Sequence, residues 1–280
     1  MASHSQMKES SSHPQAPPTS TTDAVEKSQA AESDGYKRAP TSFSQRRLWL
    51  LDRLLPSRTV YNLRTTRRLV GELDVDALRR ALNEVLRRHE ALRTRFAVID
   101  GEPVQEIVPQ LLLPLVPEDL GDLTALERES EARRRVEDEA QTDFDLQQGP
   151  LFRARLLRLS PTEHWLLLTM HHIVTDVWSH SVLVREISTL YAAFRLGEPS
   201  PLPEPRMQYA DFATWQRQWL QGETLTRQLD YWRIALADLP VLELPTDRAR
   251  PAVPSYRGGR VTFAIDAART LALKGLARAE

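Results

Sequence analysis

The chain contains no cysteine. That absence excludes disulfides, thiol nucleophiles and cysteine-ligated metals. It is compatible with a reducing cytosol, and a cytoplasmic location is expected. The chain also has almost no net charge, with 37 Lys and Arg against 38 Asp and Glu and a formal value of −1. Nothing in that balance points to a nucleic-acid or membrane partner. In residues 127–139 the two signs interleave as on a solvated helix face. No apolar run approaches the roughly 20 residues that span a bilayer. The N-terminus has no charged segment leading into an apolar core, so no secretory signal is read. No internal repeat suggests a solenoid.

What is present suits a globular chain: 280 residues, 41% hydrophobic and 27% charged, enough for one large domain or two small ones. Residues 1–40 are rich in Ser, Thr, Pro, Gln, Lys and Glu and hold almost no large apolar side chain. Such a segment cannot bury enough surface to offset its ordering entropy, and it reads as a disordered tail. It is either a plain tail or a segment that docks a partner and folds on it.

From Thr41 the pattern changes. Residues 44–55 read as an amphipathic helix, with Leu48, Trp49, Leu51 and Leu54 as core candidates. Residues 60–70 read as a strand ending at Gly71. Residues 74–92 read as a helix whose Val75, Leu78, Leu82, Val85, Leu86 and Leu92 follow the 3.6 period. Residues 94–108 read as a hairpin about Asp100-Gly101, and 123–142 as a charged helix. Two strands are read at 152–159 and 165–170, then a helix over 178–196 and a proline-rich connection over 198–205. Helices over 209–220 and 225–236 follow, then an irregular stretch over 244–256, a strand over 259–265 and a helix from Asp266. The last 20 or so residues resemble the opening of a second domain that is cut off.

The run Met170-His171-His172-Ile173-Val174-Thr175-Asp176-Val177-Trp178-Ser179 stands where a strongly apolar strand gives way to a helix. Histidine suits proton transfer near neutral pH. Adjacent side chains at a strand end point to opposite faces. One imidazole can therefore face a cleft while the other packs inward, and Asp176 is placed to hold the turn or anchor a cation.

Four segments then agree in order and separation: Ser44-Gln45-Arg46-Arg47-Leu48-Trp49, Arg88-His89-Glu90-Ala91-Leu92-Arg93-Thr94-Arg95-Phe96, the double-histidine run, and Tyr209-Ala210-Asp211-Phe212-Ala213-Thr214-Trp215. From Thr41 onward the chain resembles the condensation domains of nonribosomal peptide synthetases. Leu244-Pro245-Thr246-Asp247-Arg248 and Tyr256-Arg257-Gly258 add to the likeness. The order Trp178-Ser179 resembles the type joining an L-configured donor to an L-acceptor, whereas an epimerisation domain more often has Val-Ser-Trp there.

The resemblance implies an α/β fold, an α+β open sandwich of the chloramphenicol-acetyltransferase-like kind, with the beginning of a second similar lobe. On that view residues 1–40 are the tail, 41–205 the N-terminal lobe, and 206–280 linker helices and the start of the C-terminal lobe. It implies peptide-bond formation, in which an acceptor amine attacks a donor thioester. Both substrates ride on the 4′-phosphopantetheine of carrier proteins, one upstream and one downstream. No cofactor or metal is expected in the domain itself, and an upstream synthetase subunit is a further expected partner through residues 1–40. By position His172 faces the tunnel as catalyst. His171 packs inward. Asp176 makes a structural ion pair, with Arg88, Arg93 or an arginine in the missing part of the second lobe as its partner. Val177, Trp178 and Ser179 are candidate tunnel-lining residues, and Ser179 is equally a candidate helix cap. Val177 stands where the family usually has glycine, a point at which a β-branched residue would disfavour positive φ. His89 falls on the helix stripe and reads as a core histidine. Tyr209, Phe212 and Trp215 read as core, and His164 and His180 as surface residues. Two other readings compete: a free-standing acyltransferase of the same fold using a CoA thioester, and a non-catalytic module that docks carrier proteins.

Overall fold

A computed structural model describes residues 35–249, 251–252, 261 and 263–279. Two compact units emerge, one ending at Ala237 and the other covering Asp238–Glu280. The first unit holds two sheets. In one, β1 (Lys37–Pro40) and β3 (Thr94–Ile99) flank β4 (Glu102–Ile107), all antiparallel. In the other the order is β2 (Asn62–Val70), β7 (Glu163–His171), β6 (Phe152–Ser160) and β5 (Pro117–Asp119), antiparallel except for the β5–β6 edge. Asp100 and Gly101 both take positive φ between β3 and β4, which is what a two-residue hairpin turn requires.

Helix α1 (Phe43–Leu54) starts at Ser42, whose side chain accepts the Gln45 N–H while the Gln45 side chain returns to the Ser42 N–H. Helix α2 (Val75–Arg88) is capped by Asp74, which accepts the Ala77 N–H at 2.9 Å. Its stripe of Leu78, Ala81, Leu82, Val85 and Leu86 is buried against helix α4 (Val177–Arg195) and the β6–β7 face that carries Phe152, Leu156, Leu166, Leu168 and Met170. Helix α3 (Ala125–Gln141) covers the opposite face, where Leu120, Ala132, Leu157, Leu159 and Leu167 meet. Strand β7 is therefore apolar on both faces, as its near-continuous run of Trp165 to Met170 suggests. Helix α3 has few apolar residues, and charge helps to dock it. Arg135 and Arg155 both reach Glu118, and Arg153 bonds Glu139 at 2.7 Å. The Arg155 guanidinium, with Arg135, holds the Glu118 carboxyl below its ordinary range.

Several expectations are corrected. The tail does not run to residue 40, because Lys37–Pro40 pairs with β4 from Ile107 to Val104. Residues 1–34, the Tyr256-Arg257-Gly258 triplet and much of the strand read over 259–265 lie outside the described residues, and Val261 and residues 263–265 carry no strand. The break placed after residue 205 falls instead after Ala237. Helix α5 (Tyr209–Trp219) packs on β1 through Ala39, Ile107 and Ala210. The Tyr209 hydroxyl meets Ser42 Oγ at 2.9 Å, and Arg217 donates to the Thr41 carbonyl at 2.8 Å. Helix α6 (Gly222–Ala235) follows, and in the second unit α7 (Ala267–Ala279) matches the helix read from Asp266. Leu54 is 68% exposed, since it lies in the last turn of α1 and off the buried stripe. His164 is 4% exposed, and burial holds its pKa down. His180 is half-buried and bonds Thr65 Oγ1 at 2.6 Å. Tyr209, Phe212, Trp215 and Trp219 form a partly exposed aromatic ladder along α5 rather than a closed core. No helix among the described residues is long and apolar enough to cross a membrane.

The end of α2 carries a buried charge knot. Arg88, 4% exposed, bonds Glu186 of α4 at 3.3 Å and the Pro203 carbonyl at 2.8 Å. His89 Nε2 reaches the same Glu186 oxygen at 2.7 Å. His89 is not on the helix: it is the C-cap residue of α2, in extended backbone. Burial alone would push the Glu186 carboxyl up, but His89 and Arg88 together hold it below its ordinary range. Arg88→Ala leaves that carboxylate with His89 alone, and a loss of up to about 3–5 kcal/mol is expected in urea unfolding. The double replacement Arg88→Met with Glu186→Leu recovers most of it. Because the folded pKa of Glu186 is depressed, its contribution is complete above the unfolded value. It is lost as pH falls through the folded one, so unfolding midpoints measured in acid should converge for wild type and Glu186→Gln.

Candidate functional site

Alternation along β7 decides which histidine goes inward. Leu166, Leu168 and Met170 face α2 and α4, so His171 shares the other face with Trp165 and Leu167. His171 is fully buried, packed by Tyr61 and Phe144 with ring centroids 6.3 Å away in each case. Its Nδ1 accepts the Ile173 N–H at 3.1 Å, so the neutral ring carries its proton on Nε2, which has no partner among the described residues. Burial, aided by the neighbouring His172, pushes its pKa down to about 4. It packs as expected, as a neutral side chain.

His172 is half-buried in the turn that leaves β7. Its backbone N–H donates to the Tyr61 carbonyl at 2.8 Å. Its Nδ1 lies 2.7 Å from the Thr175 carbonyl. A carbonyl only accepts, so Nδ1 must carry the proton, and the Nε2 lone pair is left to act as a base. No described residue bonds that nitrogen. The turn is closed by Val174 N–H to His171 O at 3.1 Å. Gln45 of α1 steadies it by donating to the Ile173 carbonyl at 3.5 Å and to Gln105 at 3.0 Å.

Among the described residues no arginine pairs with Asp176, and neither Arg88 nor Arg93 reaches it. Arg88 is engaged with Glu186, and Arg93 donates to the Val108 carbonyl. Asp176 is instead the N-cap of α4. Its Oδ1 accepts the Ser179 N–H at 2.7 Å and the Ser179 hydroxyl at 2.6 Å, and those bonds hold its pKa down. Ser179 therefore completes the cap that Asp176 supplies. Val177 is the first helical residue, and it is not among the positive-φ positions, so its β-branch meets no backbone conflict. Val177 and Trp178 are 80% and 81% exposed, two large apolar side chains beside His172 with no core contact. Gln45, Tyr61 and Phe144 were not anticipated as supports of the histidine turn. For Gln45 the available signal was its place in the Ser44–Trp49 motif. Among the described residues no three His, Asp or Glu side chains gather as a metal site.

Comparison with known proteins gives a consistent picture. A family model described as Condensation domain matches residues 36–280. Chondramide synthase cmdD of Chondromyces crocatus is 46% identical over 241 residues, covering 86% of this chain and 6% of that protein. Phosphinothricin tripeptide synthetase PhsB of Streptomyces viridochromogenes is 44% identical over 251 residues, 89% of this chain and 21% of the relative. Among solved structures, the X-domain from teicoplanin biosynthesis superposes with a TM-score of 0.69 at 35% identity, covering 80% of this chain and 49% of that one. The starter condensation domain of rhizomide synthetase RzmA shares the fold, with a TM-score of 0.65 at 22% identity over 72% of this chain and 48% of that one. The chain thus spans about half the length of the solved structures and a small part of the curated relatives.

Asp176→Ala removes a cap, so a loss of about 1 kcal/mol in thermal unfolding is expected, well below that of a broken buried ion pair, while Asp176→Asn should stay near wild type. His171 adds a pH term. Its folded pKa lies below the unfolded value near 6.5, so the unfolded chain binds the extra proton and stability falls as pH drops toward about 4. The full term is about 3 kcal/mol, and an NMR titration of the two imidazoles should show His171 neutral down to that pH.

Proposed function

Because the chain belongs to the condensation-domain family, we propose that it supplies the histidine side of a peptide-bond-forming site, with His172 Nε2 as the proton acceptor. The supporting observation is the bond from His172 Nδ1 to the Thr175 carbonyl, which directs the basic nitrogen away from the loop. The substrates are an aminoacyl group on a downstream carrier and an acyl or peptidyl thioester on an upstream carrier, each on a phosphopantetheine arm. The acceptor amine attacks the thioester carbonyl carbon. His172 Nε2 takes the proton that the amine loses. As the tetrahedral centre collapses, the C–S bond breaks and the proton passes to the departing sulfur. An α-amine with a pKa near 8 is already partly deprotonated at neutral pH. Orientation and charge stabilisation then matter more than base strength.

Asp176, Ser179 and His171 act through His172, as positioning residues. Val177, Trp178 and Ser179 border the substrates in this reading, and the segment that precedes β1 meets an upstream subunit in the cytoplasm. The test uses the domain in which this chain is joined to its second lobe, with carriers charged with radiolabelled amino acids. Dipeptide should accumulate on the downstream carrier, and His172→Ala should lower the rate by about 10²-fold or more. Equal rates from CoA thioesters in place of the upstream carrier would favour free acyl transfer instead. Unchanged dipeptide formation by His172→Ala would remove the role given to Nε2.

A further inference from the structure

Between β2, β7 and the helices α2 and α4 the packing leaves a cavity of about 140 Å³. Its walls are apolar: Leu69 of β2, Leu78 of α2, Leu166 and Leu168 of β7, and Ile187 of α4. A volume of that size is on the order of a single six-carbon ring. The polar groups in its lining are Arg67, Ser188 and Tyr191. Arg67 is exposed. Its neighbour Arg68 is paired with Glu163, whereas no described carboxylate pairs with Arg67. The Tyr191 hydroxyl accepts the Asp74 N–H at 3.2 Å, which leaves its own proton free to donate. Ser188 spends its proton on the Val184 carbonyl at 2.8 Å. The lining therefore offers a guanidinium and a phenol O–H over a hydrocarbon void. Donors and positive charge set against apolar walls select an anion with an apolar body and disfavour a cation.

We propose that this cavity binds a small monocarboxylate with a hydrocarbon body of about six carbons, its carboxylate on Arg67 and Tyr191. The site is separate from the histidine turn and does not rest on the proposed condensation chemistry. It is nonetheless built on the same seam. The Tyr61 carbonyl that receives the His172 N–H directly precedes β2. The Thr65–His180 bond ties β2 to the first turns of α4. Val184 to Tyr191 lie beyond Asp176 by about two or more helical turns. An occupant would brace the wall that α4 and β2 share.

Calorimetric titration and thermal unfolding of the full 280-residue chain with hexanoate, 1-hexanol and hexylammonium test this. Hexanoate should bind and raise Tm, and hexylammonium should do neither. Arg67→Gln should weaken hexanoate by about tenfold or more while leaving 1-hexanol unchanged. Ser188→Phe, at an exposed helix position, should close the mouth and abolish binding of both, with circular dichroism confirming the fold. No binding of hexanoate to the folded chain, equal binding of hexylammonium, hexanoate affinity unchanged by Arg67→Gln, or hexanoate binding retained by Ser188→Phe would overturn the proposal.

Discussion

The register of β7 against β2 is the constraint on which the site depends. Asn62 faces His171 and Val70 faces Glu163, with every pair between in step. A slip by one residue would turn His171 out and His172 in. Hydrophobic alternation resists such a slip only weakly, because β7 buries apolar side chains on both faces. Specific contacts therefore carry the register. At one end the Gly71 N–H donates to the Thr162 carbonyl, beside the tight β6–β7 connection. At the other, the His171 N–H reaches Leu151 O and the His172 N–H reaches Tyr61 O. The last two place the two histidines in different environments, one dry and neutral, the other at the opening of a turn.

The arginine-rich segment after α2 serves architecture at a distance from that turn. Arg88 and His89 converge on Glu186, and Gln208 bridges the same place, with its side-chain amide donating to Arg88 O at 2.8 Å and its oxygen accepting the Glu90 N–H at 3.1 Å. The Glu186 carboxylate, the Arg88 guanidinium and the Gln208 amide together thus join the end of α2, the middle of α4, the proline-rich connection and the start of α5. A buried pair adds little net stability over apolar packing, but it penalises any arrangement that separates its members. That selectivity fits a junction of four segments.

Much of the fold was legible because its signals are local and periodic. The α2 stripe, the Asp100-Gly101 hairpin and the charged helix read over 123–142 each follow from a few neighbouring residues. The misreadings came where tertiary context decides. Lys37-Arg38-Ala39-Pro40 has no apolar alternation, and it is a strand only because β4 offers an edge. His89 continues the α2 period by one more step, yet the chain leaves the helix there for the Glu186 carboxylate. His164 stands near a strand end among polar neighbours, and only the packing around it makes it buried. At the site, strand alternation made it legible that the two histidines part to opposite faces, and the resemblance assigned which is which. The partner of Asp176 was not, because a distant arginine and a serine three residues on are equally allowed by sequence.

That serine changes how the motif carboxylate acts. Asp176 fixes the first turn of α4, and the first turn fixes where the chain must leave Thr175. The Thr175 carbonyl in turn selects the tautomer of His172, since it accepts a proton from Nδ1 and from nothing else on that ring. Removing the carboxylate leaves the imidazole in place but loosens the carbonyl that orients it. On the proposed role of His172, the base would then be divided between two tautomers and more orientations, with only a fraction presenting Nε2 outward. On that same role, Asp176 governs the population of the competent base without touching the reacting atoms. Its effect on rate and its effect on stability share one cause, the length of chain between a helix cap and a carbonyl.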